Sequence, residues 1–222
     1  MSRTIDVLYE DDQLIVFDKP AGLLVIPSPN KEPHTLTSIV NTQCAQEGET
    51  RLHPCHRLDR ETSGAIIYAK GKKNQQLMMQ EFQRHRVKKQ YIAFVRGKIK
   101  PPEGEIRGAV KDKHKQKYAA RARAPEAVTR YRVKEVRRGY SVVEVYPLTG
   151  RTNQIRIHFK DIGHPLLGER VYAFGKDFEV KFRRVALHAR QLIWYHPVLK
   201  KSITVESPLA KDMSEFLGHG LR

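Results

Sequence analysis

The stretch His56–Lys70, HRLDRETSGAIIYAK, joins a charged loop to an apolar run. The loop sets one acid, Asp59, among His56, Arg57 and Arg60. The run, Gly64–Lys70, carries Ala65, Ile66, Ile67 and Tyr68 and reads as a short buried strand. Thr62, Ser63 and Gly64 between them supply residues that turn a chain sharply. A charged turn feeding a buried strand is the unit from which the rest of the chain is read.

Upstream, IDVLYEDDQLIVFDKPAG reads as a hairpin of Val7–Tyr9 and Leu14–Phe17, closed by Pro20 and Gly22. TLTSIVNTQCAQEG places Leu36, Ile39 and Val40 at helical spacing, with a stop at Gly48. Downstream, KKNQQLMMQEFQR gathers Leu77, Met78 and Phe82 on one helical side, and KQYIAFVRGKI has the content of a strand. In VTRYRVKEVRRGYSVVEVYP, Tyr131 and Val133 alternate with Arg130, Arg132 and Lys134, and Arg138-Gly139 turns a hairpin. GRTNQIRIHFKDIG predicts a helix from Ile155, Phe159 and Ile162, capped by Gly163, with Arg156 and Lys160 on a different face. RVALHARQLIWYHPVLKKSITVESP predicts a second strand pair before a short helix at Lys211–Leu217. Strands and helices alternate irregularly, with several hairpins and no fixed repeat. The expected fold is α+β: a mainly antiparallel mixed sheet with flanking helices, in one domain over residues 1–222.

The charge points to the partner. Among 222 residues, 41 Lys+Arg stand against 24 Asp+Glu, a net charge of +17. The excess collects between Arg84 and Arg123, where RHRVKK and KDKHKQKYAARAR hold almost no acids, which favours a polyanion, and nucleic acid above others. No basic amphipathic helix with an aromatic face appears, and no apolar run reaches the length of a membrane span, so a membrane partner is not expected. Two cysteines, Cys44 and Cys55, without paired spacing and without a leader peptide before them, fit a reducing, cytoplasmic setting.

An Asp starts near a pKa of about 3.9, and an adjacent Arg lowers it further. Asp59 is therefore expected to be ionised, and suited to nucleophilic attack or to stabilising a positive centre rather than to strong general-base work. A loop Asp beside arginines is also the ordinary makings of a solvated ion pair, contributing about 0–1 kcal/mol. The order of other motifs decides between the two.

HRLDRETSG resembles the catalytic motif of the RluA-type family of RNA pseudouridine synthases. DKPAGLLV is similar to that family's opening motif, KKQYIAFVRG to its tyrosine-bearing strand, GRTNQIRIHFKDIGHPLLGERVY to its long arginine-bearing motif, and ALHARQLIWYHP to its late strand. The matches run in order from about Val7 to Pro208. The resemblance implies a pseudouridine synthase-like catalytic domain without the S4-type domain that precedes many relatives. It implies Asp59 as the catalytic aspartate and Arg57 as the side chain entering the RNA. Tyr91 would pack on the flipped base, and Arg156 would hold Asp59. Arg60, Thr62, Arg151, Asn153 and Gln154 are expected among the RNA contacts. The implied partner is ribosomal or transfer RNA acted on by a monomer, with no cofactor and no metal. The chain departs from the pattern at Asn153, where His is usual, and at Asp18, where Asn is common.

Other readings fare less well on residues. RLHPCHR offers His53, Cys55 and His56, but lacks the paired spacing of a zinc site. His158, His164 and His188 are expected in hydrogen bonding or in the core. A non-catalytic RNA-binding or ribosome-associated protein of the same fold is the alternative, against which stands an acid, Asp59, kept where it opposes phosphate.

Overall fold

The computed structural model describes residues 4–28, 32–45, 50–110, 126–173 and 180–218. The basic segment KDKHKQKYAARAR and the expected helix stop at Gly48 lie outside them. The chain comprises two compact units, one built from residues up to Lys89 and from His188 onward, the other from Gln90–Leu187. Among the described residues there are ten strands and four helices.

In the first unit, β1 (Val7–Glu10) pairs antiparallel with β2 (Leu14–Lys19), and β2 with β4 (Ser63–Lys70), whose far end also pairs β3 (Leu52–Pro54). β9 (Leu187–Tyr195) and β10 (Ser202–Glu206) form an antiparallel pair, and β4 meets β9 in parallel at Ser63↔His188 and Gly64↔Ala189. Seven of the eight β4 residues are buried, because both faces are covered and an apolar run without alternation is what such a strand needs. Leu14, Val16, Ala65, Ile67 and Ala69 pack with Leu192, Trp194 and Met78, the last from α2 (Gly71–Gln83). On the other face Phe17 meets Tyr68 edge to face, and the Tyr68 hydroxyl lies 2.9 Å from Thr37 Oγ1 on α1 (Leu36–Gln43). Thr35 and Ser38 cap α1 reciprocally.

The parallel contact is close. Gly64 has φ +109, and a Cβ there would lie 2.3 Å from the Ala189 carbonyl oxygen, so only glycine lets β4 start against β9.

In the second unit β5 (Lys88–Arg96) pairs with β8 (Tyr140–Pro147), β8 with β7 (Glu126–Arg137), and β7 with β6 (Glu103–Ala109), all antiparallel. The hairpin turns at Arg138-Gly139 as expected. α3 (Gln154–Asp161) packs on β7, where Phe159 meets Tyr131 edge to face and His158 Nδ1 lies 2.9 Å from Thr129 Oγ1. Gly163 ends α3 at φ +81, and the amide of His164 donates to the Phe159 carbonyl. α4 (Lys211–Gly218) closes the described chain. No helix among the described residues is long and apolar enough to cross a membrane. Both units are mainly antiparallel with helices beside the strands, an α+β fold.

Candidate active site

Asp59 is half-buried on the turn before β4, with Arg57 and Arg60 exposed on either side. The turn is braced by its backbone. Thr62 N donates to the Asp59 carbonyl (3.1 Å), and the Arg60 carbonyl accepts from Gly22 N (2.8 Å) and from Lys19 Nζ (3.1 Å). Lys19 Nζ also donates to the Pro20 carbonyl (2.9 Å), and its side chain is fully buried. The DKPAG segment therefore works from behind the loop, a buried ammonium on carbonyls that would otherwise lie desolvated. Arg60 is paired with Glu32 at 2.5 Å. Thr62, expected among the RNA contacts, is 2% exposed.

His56 supports the loop from its N-terminal side. Its Nε2 accepts the Ile67 amide (3.0 Å), and its ring stacks on Phe82 at 4.6 Å between centroids. Burial, with the Lys89 charge nearby, pushes its pKa down to about 3, and burial brings Lys89 down to about 8. Burial pushes the Cys55 thiol up to about 12, which leaves it unreactive. One ring nitrogen of His56 and the Cys55 sulfur are thus committed to the interior.

The His56 shift has a sign that can be measured. An unfolded imidazole titrates near about 6.5. Between that pH and about 3 the unfolded chain binds the proton and the native protein does not, so stability falls as pH drops below about 6.5. His56→Gln, which retains an acceptor for the Ile67 amide but no titrating ring, is expected to lose less of its thermal midpoint between pH 7 and pH 5 than the wild type. Equal acid sensitivity of the two would assign that loss to other groups.

In the second unit the start of α3 organises a buried cation. Arg156 is only 8% exposed, not on a polar face as its spacing suggests. Its Nε donates to Glu169 Oε2 (2.7 Å), its Nη2 to Glu169 Oε1 (2.8 Å) and its Nη1 to Asn153 Oδ1 (2.8 Å). Its Cζ lies 5.1 Å from the Tyr172 ring centroid. Glu169 Oε1 accepts as well from the amides of Arg170 (3.0 Å), Val171 (2.8 Å) and Tyr172 (3.2 Å). Burial works to raise the Glu169 carboxyl; the Arg156 hydrogen bonds and charge, with the amides, outweigh it and hold it below its usual range.

Asn153 takes the left-handed conformation, φ 55, at the N-cap of α3. Asn adopts that conformation more readily than most residues. Its carboxamide accepts from Arg156 and donates to the Tyr172 hydroxyl (2.9 Å), so it joins the cation to the aromatic. Gln154, expected among the RNA contacts, is 4% exposed. Its oxygen accepts from Thr149 Oγ1 (2.7 Å) and Arg151 N (3.0 Å), and its nitrogen donates to the Val128 carbonyl (3.0 Å) and Thr129 Oγ1 (2.9 Å). All four of its bonds are used within the protein. Arg151 is exposed, and Tyr91 is buried on β5 opposite Val145.

Arg57, Asp59, Arg60 and Thr62 thus share one loop of the first unit. Arg151, Asn153, Gln154 and Arg156 share the start of one helix in the second, with Tyr91 on a strand of the same unit. Sequence reading singled out neither Glu169 nor Tyr172, although both stand in GERVY, within the stretch quoted for its arginine. Lys19 escaped as well, since nothing in DKPAG announces a buried ammonium.

Over residues 13–161 the chain matches the family described as RNA pseudouridylate synthase. It is 35% identical over 227 residues to tRNA pseudouridine synthase C of Haemophilus ducreyi, covering 92% of this chain and 91% of that protein. It is 34% identical over 198 residues to the dual-specificity RNA pseudouridine synthase RluA of Vibrio cholerae, covering 87% and 78% of the two. The solved structure of human RNA pseudouridylate synthase domain containing 4 superposes with a TM-score of 0.76 at 25% identity, covering 96% of this chain and 91% of that one.

Proposed function

The chain belongs to the RNA pseudouridylate synthase family and is an isomerase of that kind, and from this we propose that it converts a uridine of ribosomal or transfer RNA to pseudouridine with Asp59 as catalytic carboxylate. The observation that carries the reading is Asp59 itself, half-buried on a braced turn between two exposed arginines. One similar protein is named as a tRNA pseudouridine synthase and another as a ribosomal large subunit pseudouridine synthase, which supports these RNA classes as substrates.

The reaction breaks the bond from ribose C1′ to uracil N1, rotates the base and joins C1′ to C5. The C5 hydrogen leaves to water and N1 gains a proton, so nothing is oxidised. A base inside an RNA stack must first be extruded, at a cost of a few kcal/mol. Arg57, exposed beside Asp59, enters the space the base leaves, and Tyr91 packs on the extruded ring. The arginines of the loop attract the phosphate backbone that would otherwise oppose an ionised Asp59. The test is tritium release from ribosomal and transfer RNA transcripts labelled at uracil C5. Release to solvent supports the reading; silence on every transcript despite tight binding would favour a non-catalytic RNA-binding protein.

The cations differ in what they can offer RNA. On β6 and β7, Arg130 and Arg107 share Glu105 (2.8 and 2.6 Å), and Arg132 faces Glu103 at 3.5 Å. Arg57→Ala is expected to flatten the dependence of log K on log salt by about one unit, near the 0.9 assigned to one phosphate contact. Arg130→Ala, whose charge Glu105 already meets, is expected to leave the slope unchanged. Anisotropy titrations with transcript at several salt concentrations decide it, and equal slopes for wild type and Arg57→Ala would remove Arg57 from the RNA.

A further inference from the structure

We propose that Asp18, Ser207 and His188 are positioning residues for the reaction, acting through a hydrogen-bond chain that ends on Ser63 and fixes the loop carrying Asp59. The inference rests on the reading of Asp59 given above.

The chain crosses the first unit through four strand ends. Ser207, just after β10, donates its hydroxyl to Asp18 Oδ1 on β2 (2.9 Å). His188 on β9 places Nε2 3.1 Å from Ser207 Oγ and Nδ1 3.0 Å from Ser63 Oγ, the first side chain of β4. Ser63 is 3% exposed, and His188 and Ser207 are fully buried.

Counting hydrogens gives the chain a direction. Ser207 has one hydroxyl hydrogen and two acceptors in reach, Asp18 Oδ1 at 2.9 Å and the Pro208 carbonyl at 3.2 Å. The carboxylate is nearer and charged, so it takes the hydrogen. Ser207 Oγ must then accept from Nε2 of the His188 imidazole. In the neutral form of the ring that leaves Nδ1 as an acceptor, to which Ser63 donates. Backbone bonds fix Ser207 itself: its amide donates to the Arg190 carbonyl (2.8 Å), and the Arg190 guanidinium donates to its carbonyl.

The acid matters because it sets that direction from one end. Asn, which is common here in the resembling family, also offers an oxygen to the Ser207 hydrogen and can keep that direction, whereas Ala offers none. At the other end, Ser63 lies in register with His188 and begins the strand that Gly64 seats against Ala189. Thr62, one residue back, holds the Asp59 carbonyl. A shift at Ser63 therefore reaches Asp59 through one short turn. Buried polar chains of this kind add little net stability when complete, but they specify geometry. Displacing a reacting group by an ångström can cost about a hundredfold in rate.

The experiment uses the full chain as Asp18→Ala, Asp18→Asn, Ser207→Ala and the Asp18→Ala, Ser207→Ala double variant. Nitrogen-15 spectra of the histidine rings read the tautomer directly. His188 is expected to be protonated at Nε2 in the wild type and in Asp18→Asn, and to lose that single tautomer in Asp18→Ala and Ser207→Ala. Hydrogen exchange at the Thr62 amide is expected to speed up in the same two. In the tritium assay those variants should lose about tenfold in kcat with KM within about twofold, and the double variant no more than the worse single. Asp18→Asn should recover to within about threefold of wild type. An Nδ1-protonated His188 in the wild type, or unchanged Thr62 exchange in Asp18→Ala, overturns the relay whatever the turnover. A wild type with no turnover overturns the reading of Asp59 while the spectra and exchange still decide the relay.

Discussion

Asp59→Asn loses tritium release by on the order of 10⁴-fold or more, the scale seen when the single group a mechanism depends on is removed. The amide has the size of the carboxylate and disturbs little of the turn, whose bonds at Thr62 N and the Arg60 carbonyl are made by backbone. What it lacks is charge: it can neither attack a sugar or ring carbon nor steady a positive centre at C1′. RNA affinity is expected to hold or to tighten slightly, because an anion has been removed from beside Arg57 and Arg60. Loss of turnover with retained affinity is the signature sought in the tritium and anisotropy measurements. Turnover within a few fold of wild type would end the case for Asp59 and direct attention to another acid.

Glu169→Ala is the second large effect, and it falls on folding. The carboxylate is fully buried, answers two guanidinium nitrogens and accepts three backbone amides. Its removal leaves the Arg156 charge in a site where it is only 10% exposed along the side chain. Breaking such a pair from one side costs about 3–5 kcal/mol. For a chain of this size that amounts to roughly 10 °C in the thermal midpoint. The paired Arg156→Leu, Glu169→Leu variant should cost less than Glu169→Ala, since no buried guanidinium is left short of the acceptors Glu169 supplied. Urea unfolding of the three proteins checks the order. A single-variant cost under about 1 kcal/mol would mean that water reaches the guanidinium.

Pattern carried most of the strands because burial on one or two faces writes itself into the chain. Leu14–Phe17, Gly64–Ala69 and the hairpin from Val128 to Pro147 could be read directly. β6 could not: Ile106 is its only buried apolar side chain, and Gly104 and Gly108 interrupt it. β3 has three residues and exists because β4 offers it an edge. Helix α3 was found at its true place but with its faces misjudged. Gln154 through His158 are buried without a gap, since partners as distant in sequence as Thr129 and Glu169 satisfy its polar groups, and no period within the helix can announce them. The candidate site residues could be named from their motifs. Whether each reaches outward, like Arg57, or spends its bonds on the interior, like Gln154, depends on neighbours that only folding supplies.

The first unit is assembled from both ends of the chain, and β4 begins against a strand more than a hundred residues later. During synthesis HRLDRETSG leaves the ribosome more than a hundred residues ahead of His188 and Ala189, which seat Ser63 and Gly64. Until then the turn has no neighbour to hold its far end. Nascent and prematurely ended chains thus carry the acid and its arginines without a formed site. The order of translation itself delays competence until the β9–β10 pair has emerged.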